Sequence, residues 1–140
     1  MKRRKRTEIL IQADPSLAKN FAESIIRHYK CQEIVAPTYG LTMIKMRESA
    51  KQSLFYMGEV LVTEAKVEIN QEVGIGIVVG MEEELAKHLA IIDAAYKAEV
   101  PETGAWLPEL LEAERRITED KAKKQAELFE TKVNFETMDV

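Results

Sequence analysis

The chain has 140 residues, 46% hydrophobic and 31% charged, which fits one globular domain and lies far from the low-hydrophobicity signature of disorder. Its net charge is −4, but Lys2, Arg3, Arg4, Lys5 and Arg6 hold five of the 20 basic residues, leaving 15 basic against 24 acidic residues in the rest, a net of −9. Such an acidic body argues against a broad nucleic-acid groove, a single cysteine excludes an internal disulfide, and no run nears the ~20 apolar residues that cross a bilayer.

Thr7-Glu8 follows the basic run where a secretory signal would place apolar residues, so the sequence reads as cytoplasmic. Residues 1–6 are expected to be a basic arm. Its plain reading is a solvated, frayed terminus; the functional readings are contact with phosphate, nucleic acid or an acidic partner, or a nuclear-localisation tract. Ile9, Leu10 and Ala13 then form a short apolar stripe. Asp14-Pro15 predicts an N-cap with proline at the first helical position, and Leu17, Phe21, Ile25 and His28 predict a helix with a wide apolar face.

The pattern changes after Cys31. Ile34-Val35-Ala36, a turn-like Pro37-Thr38-Tyr39-Gly40 and the alternating Leu41–Met46 together predict a hairpin. Leu54 to Ile69 is the strongest strand: Leu61, Thr63, Ala65, Val67 and Ile69 share one parity, and Glu64, Lys66 and Glu68 the other. Asn70-Gln71-Glu72 turns the chain into a glycine-bearing strand, Val73 to Val79, ended by Gly80. The expected fold is α+β: about four strands in an antiparallel meander, covered by helices on one side.

Glu82-Glu83-Glu84 opens a helix with Leu85, Leu89, Ile92 and Tyr96 on one face, its acids complementing the helix dipole. Val100-Pro101-Glu102-Thr103-Gly104 breaks it. From Leu111 to Leu128 the only sizeable apolar residue between the ends is Ile117, while Glu112/Arg116, Glu119/Lys123 and Asp120/Lys124 are four apart, predicting a charged helix with little core beneath it. Val133, Phe135 and Thr137 alternate, predicting an extended tail over 131–140, either paired with another chain or folded back on its own sheet. The single α+β domain is then expected over 7–130.

Chemistry-bearing motifs are scarce. His28 and His88 fit ordinary structural roles, and no zinc or calcium pattern occurs, so no metal ligand is expected. Gly74-x-Gly76-x-x-x-Gly80 fits neither the dinucleotide fingerprint nor the P-loop, and the following acids would repel phosphate; close approach of a helix to the sheet explains these glycines better. Asp93, on a strongly apolar helix, must find donors or raise its pKa, and a hydrogen-bonded structural role is preferred to a catalytic one. Ser53 and Cys31 lack a nucleophile signature. No catalytic residue is expected.

Several stretches nevertheless occur in a telling order: Tyr39-Gly40-Leu41, Leu54 through Val67, the three spaced glycines, Ala90-Ile91-Ile92-Asp93-Ala94, and Lys132 through Met138. Over nearly the whole chain from about Arg6 they resemble the PhnG family, the G subunit of the bacterial carbon-phosphorus lyase core complex. The resemblance implies a required, noncatalytic subunit in phosphonate catabolism. There a phosphonate displaces adenine from the anomeric carbon of MgATP, which is substrate of the assembled complex, and this chain alone binds no cofactor. The implied partners are subunit I above all, with J and H, and neither membrane nor nucleic acid.

The matching stretches suggest a partner interface at Gly58, Glu59, Val60, Leu61, Val62 and Thr63 and at Val133, Phe135, Thr137 and Met138, with core packing the plain alternative for Val60 and Val62. Glu136 departs from the aromatic found in some members, and the basic arm stands outside the family pattern. Two other readings remain open at this point: a chain that itself binds ATP or a phosphonate through the arm or Asp93, and a self-associating adaptor whose tail pairs with its twin.

Overall fold

In the computed structural model, which describes residues 1–47 and 54–138 and the side chains of 1–43 and 58–130, the sequence reading of the central strand is the key to the architecture. That strand, β2 (Leu54–Ile69), buries Thr63, Ala65, Val67 and Ile69, while Val62, Glu64, Lys66 and Glu68 between them face the opposite way. It lies between β1 (Gln32–Arg47) and β3 (Glu72–Val79) in an antiparallel sheet of order β1-β2-β3. Asn70 and Gln71, at φ 50° and 69°, make the two-residue turn into β3; two positive φ values match the twist of the flanking strands.

Four helices accompany the sheet among the described residues: α1 (Arg3–Gln12), α2 (Pro15–His28), α3 (Glu83–Lys97) and α4 (Leu107–Met138), with a 3-10 turn at Pro101–Trp106 before the last. Asp14 caps α2 as its sequence predicts, accepting from the Ser16 N–H at 2.9 Å.

Small residues on both sides set how closely α3 meets the sheet. A Cβ at Gly74 would lie 2.2 Å from the Ala90 carbonyl oxygen and from the Ala94 nitrogen, and one at Gly76 would lie 2.1 Å from the Ala86 carbonyl oxygen. Ala86, Ala90 and Ala94 recur every fourth residue, so one helix flank of methyl groups rests directly on glycine backbone. The glycines therefore serve close approach. Beyond this contact, Phe21 of α2 stacks on Trp106 at 4.6 Å, Tyr96 meets the same indole edge-on at 5.7 Å, and Ile9, Leu10, Ile25 and Leu110 close the core.

Three expectations change. The hairpin expected over 34–46 is one strand, so among the described residues the sheet has three strands where a four-stranded meander was expected. Pro37 is absorbed because β1 lies at the edge and its register slips between Val35 and Thr38, leaving Ala36 and Pro37 opposite a single step of β2. The basic arm is not a frayed terminus: it is helical from Arg3, and Arg6 is buried. The extended tail is helical as far as Met138.

Candidate partner interface

Two parts of the molecule leave its core. β3 pairs with β2 only as far as Val79 opposite Val62, whereas β1 and β2 stay paired from Leu41 opposite Leu61 out to Arg47 opposite Leu54. The outer halves of β1 and β2 thus form a two-stranded ribbon, a structure that is marginal in water without a surface to rest on. Leu41 and Met43 on it are 68% and 57% exposed. Gly58, at φ 137°, sits where the register shifts after Ile44, a bulge that re-aims the ribbon and that a side chain would strain.

The second projection is the outer part of α4. Leu110 is buried and Ile117 half-buried, but every residue from Thr118 to Glu130 is exposed. A 32-residue helix is about 48 Å long, so most of it extends past the body. Glu112, bonded to Arg115 at 2.6 Å and Arg116 at 3.3 Å, supports it locally, and the Arg115 contact holds the Glu112 carboxyl down at about 2. Near its far end Leu128 and Phe129 are 70% and 69% exposed, adjacent large apolar side chains with nothing beneath them among the described residues.

The sequence-derived interface residues fall into three groups. Gly58, Val60, Leu61 and Val62 are half-buried along the ribbon and its junction with β3, and Glu59 is exposed there. Thr63 points inward: its hydroxyl donates to the Gly80 carbonyl at 2.6 Å and accepts from the Glu82 N–H at 3.0 Å, tying β2 to the start of α3. Val133, Phe135, Thr137 and Met138 lie on the last turns of α4, with side chains outside the described residues.

Among the described residues, buried charge is concentrated around Asp93. Its Oδ1 accepts from Arg3 Nε at 2.9 Å and Arg6 Nη2 at 3.3 Å, its Oδ2 from Arg3 Nη2 at 3.1 Å and the Ile75 N–H at 2.9 Å, and Lys97 Nζ stands 3.4 Å away. Four donors occupy the carboxylate's roughly four acceptor sites, so Asp93 is spent on joining α1, α3 and β3. Arg6 also lies 3.7 Å over the Tyr96 ring; burial lowers its pKa from the ordinary value, against the opposing pull of Tyr96 and Asp93. Sequence reasoning missed Arg3 and Arg6, although their three-residue spacing ahead of Ile9 and Leu10 places them on one face of a helix, where an acid on an apolar helix could find them.

Two sizeable grooves are lined by the described residues. One, of about 670 Å³, runs between the start of α2 and α4; its Asp14, Glu109, Glu112 and Asp120 outnumber Arg116 and would repel phosphates. The other, of about 690 Å³, lies between α1 and β3 and is lined by Arg3, Arg4 and Thr7, with Glu8 as its single carboxylate. Cys31 is half-buried with its thiol pKa pushed up by burial, the opposite of activation. Among the described residues no group of three potential metal ligands occurs, and no helix is long and apolar enough to cross a membrane.

The family model described as phosphonate metabolism protein PhnG matches residues 1–139. This chain belongs to the PhnG family. Its place in phosphonate metabolism follows from that membership, and the matched span includes both projections and the Asp93 cluster. No curated protein sequence matches the chain. Within this PhnG-family fold, the ribbon and the outer half of α4 both carry exposed apolar side chains.

Proposed function

We propose that this chain is a required, noncatalytic subunit of the carbon-phosphorus lyase core complex. It supports the formation of α-D-ribose 1-methylphosphonate 5-triphosphate from MgATP and methylphosphonate. In that reaction a phosphonate oxygen bonds to the anomeric carbon of the ribose as the carbon-nitrogen bond to adenine breaks, and adenine leaves with a proton. The catalytic groups belong to a nucleosidase-like companion, subunit I, and subunits J and H complete the assembly in the bacterial cytoplasm. MgATP is substrate of the whole, and this chain alone holds no cofactor.

The observation that carries this reading is the pairing of PhnG membership with two apolar projections, Leu41 and Met43 on the ribbon and Leu128 and Phe129 on α4. Burying such side chains contributes about 1.5–3 kcal/mol each, so a partner that covers them gains a stable interface. The Asp93 cluster disfavours the reading in which this chain binds ATP or phosphonate itself, because Asp93 and Arg3 already satisfy each other. Co-expression of the tagged chain with subunit I tests the proposal: the two should co-purify in a fixed ratio, and clean separation defeats it.

A further inference from the structure

The outer edge of β3 is treated differently along its length. The Gly80 N–H donates to the Leu61 carbonyl at 2.8 Å, so the even-numbered residues of β3 turn their peptide groups toward β2 and the odd-numbered ones turn outward. At the first two outward positions side chains take the place of a neighbouring strand: Lys97 Nζ donates to the Val73 carbonyl at 2.8 Å, and Asp93 accepts from the Ile75 N–H at 2.9 Å. At the next two, Ile77 and Val79, nothing among the described residues does so, and no described strand lies on that side of β3. Their side chains are 51% and 66% exposed.

A groove follows this edge. Its walls are Arg4, Thr7 and Ile11 of α1 on one side and Ile75 and Ile77 of β3 on the other, with Arg3 at its head and Glu8 one turn along from Arg4. Arg3 is occupied by Asp93, whereas Arg4 is exposed and has no carboxylate partner among the described residues. From the outward amides and carbonyls, the apolar walls and the cationic head, we infer that the open half of β3 accepts an extended strand from another subunit. That strand is apolar at alternate positions and carries a carboxylate that meets Arg4. The inference rests on the reading of the chain as an assembly subunit.

Main-chain pairing supplies the affinity and the groove the selectivity in such strand addition. Two features favour a foreign segment over a second copy. Pairing β3 with its own twin would bring each copy's α1, which already walls the groove beside Ile75 and Ile77, against the other's edge. The open end is also continuous with the ribbon, since Val79 pairs directly with Val62.

Hydrogen–deuterium exchange resolved at the Ile77 and Val79 amides, in the full-length chain alone and in the complex co-expressed with the other core subunits, tests this site. Both amides should exchange freely in the isolated chain and slow by roughly tenfold or more on assembly. Ile77→Pro removes an outward N–H while sparing the ladder to β2, so it should keep the fold, checked by circular dichroism, yet lower recovery of the complex roughly tenfold. Arg4→Glu should lower it less. An intact complex in which both amides still exchange as in the isolated chain overturns this site alone. Protection that grows with concentration of the isolated chain assigns the edge to a second copy and overturns it too. Failure of the wild-type chain to assemble defeats both this inference and the subunit reading.

Discussion

The contact between α3 and the sheet and the outer half of α4 are both helical, yet they are built on opposite principles. Ala86, Ala90 and Ala94 rest on Gly74 and Gly76 with no room for a methyl group, and Asp93 on the same helix is filled by four donors. From Thr118 to Glu130 α4 is exposed throughout, and Leu128 and Phe129 face solvent. The difference separates what this fold keeps for its own stability from what it offers outward. Close packing tolerates no substitution; an uncovered helix tolerates many until a partner is present.

The most severe way to probe that contrast is Gly76→Val. Valine favours strands, so steric contact is what opposes it: a Cβ would lie 2.7 Å from the Ala90 nitrogen and, nearer still, 2.1 Å from the Ala86 carbonyl oxygen. Because that atom is backbone, the helix must lift, and a loss above about 4 kcal/mol is expected from urea unfolding. A valine variant as stable as wild type would break the account of the α3 contact. Asp93→Ala comes next. It strands Arg6, whose side chain is 7% exposed, and should cost about 3–5 kcal/mol in the same measurement. A second substitution, Arg6→Met, should recover part of that loss, since it removes the unpaired charge.

Much of the close-packed region was legible in sequence and little of the projecting one was. Asp14-Pro15, the apolar face of α2, the parity of β2 and the spaced glycines each express a packing demand that repeats at the period of its element. β1 was misread because Pro37 and Gly40 have turn composition, and only an edge location with a register slip lets a strand run through them. The tail was misread because Val133, Phe135 and Thr137 alternate. Phe129 and Val133 are also four apart, and a Lys-, Glu- and Ala-rich helix already formed extends at little cost. The pairing of exposed Arg3 and buried Arg6 with buried Asp93 joins residues some 90 positions apart, and neither partner's local pattern encodes the other.

Smaller effects sharpen the comparison from the open side. Replacing both Leu128 and Phe129 with serine should shift the isolated chain's stability by no more than about 0.5 kcal/mol, because nothing covers them, while reducing recovery with subunit I in a pull-down. A large loss of stability in the isolated chain would show that these residues pack internally. The slightest effect concerns His88 on α3, whose pKa burial lowers against the opposing pull of Glu84 and Glu23. As pH falls, the unfolded chain takes up the proton first, so this contribution is complete above 6.5 and diminishes through the interval between 6.5 and the lower folded value. His88→Gln should therefore flatten the fall in urea midpoint on the acid side of that point, and an unchanged slope would remove His88 from the account.

The measurement closest to the central claim is adenine release from MgATP and methylphosphonate. It should be followed for this chain alone, for the remaining core subunits without it, and for the two recombined. The account predicts release only on recombination. Adenine released by this chain alone would contradict it, because the groups that break the glycosidic bond would then reside here.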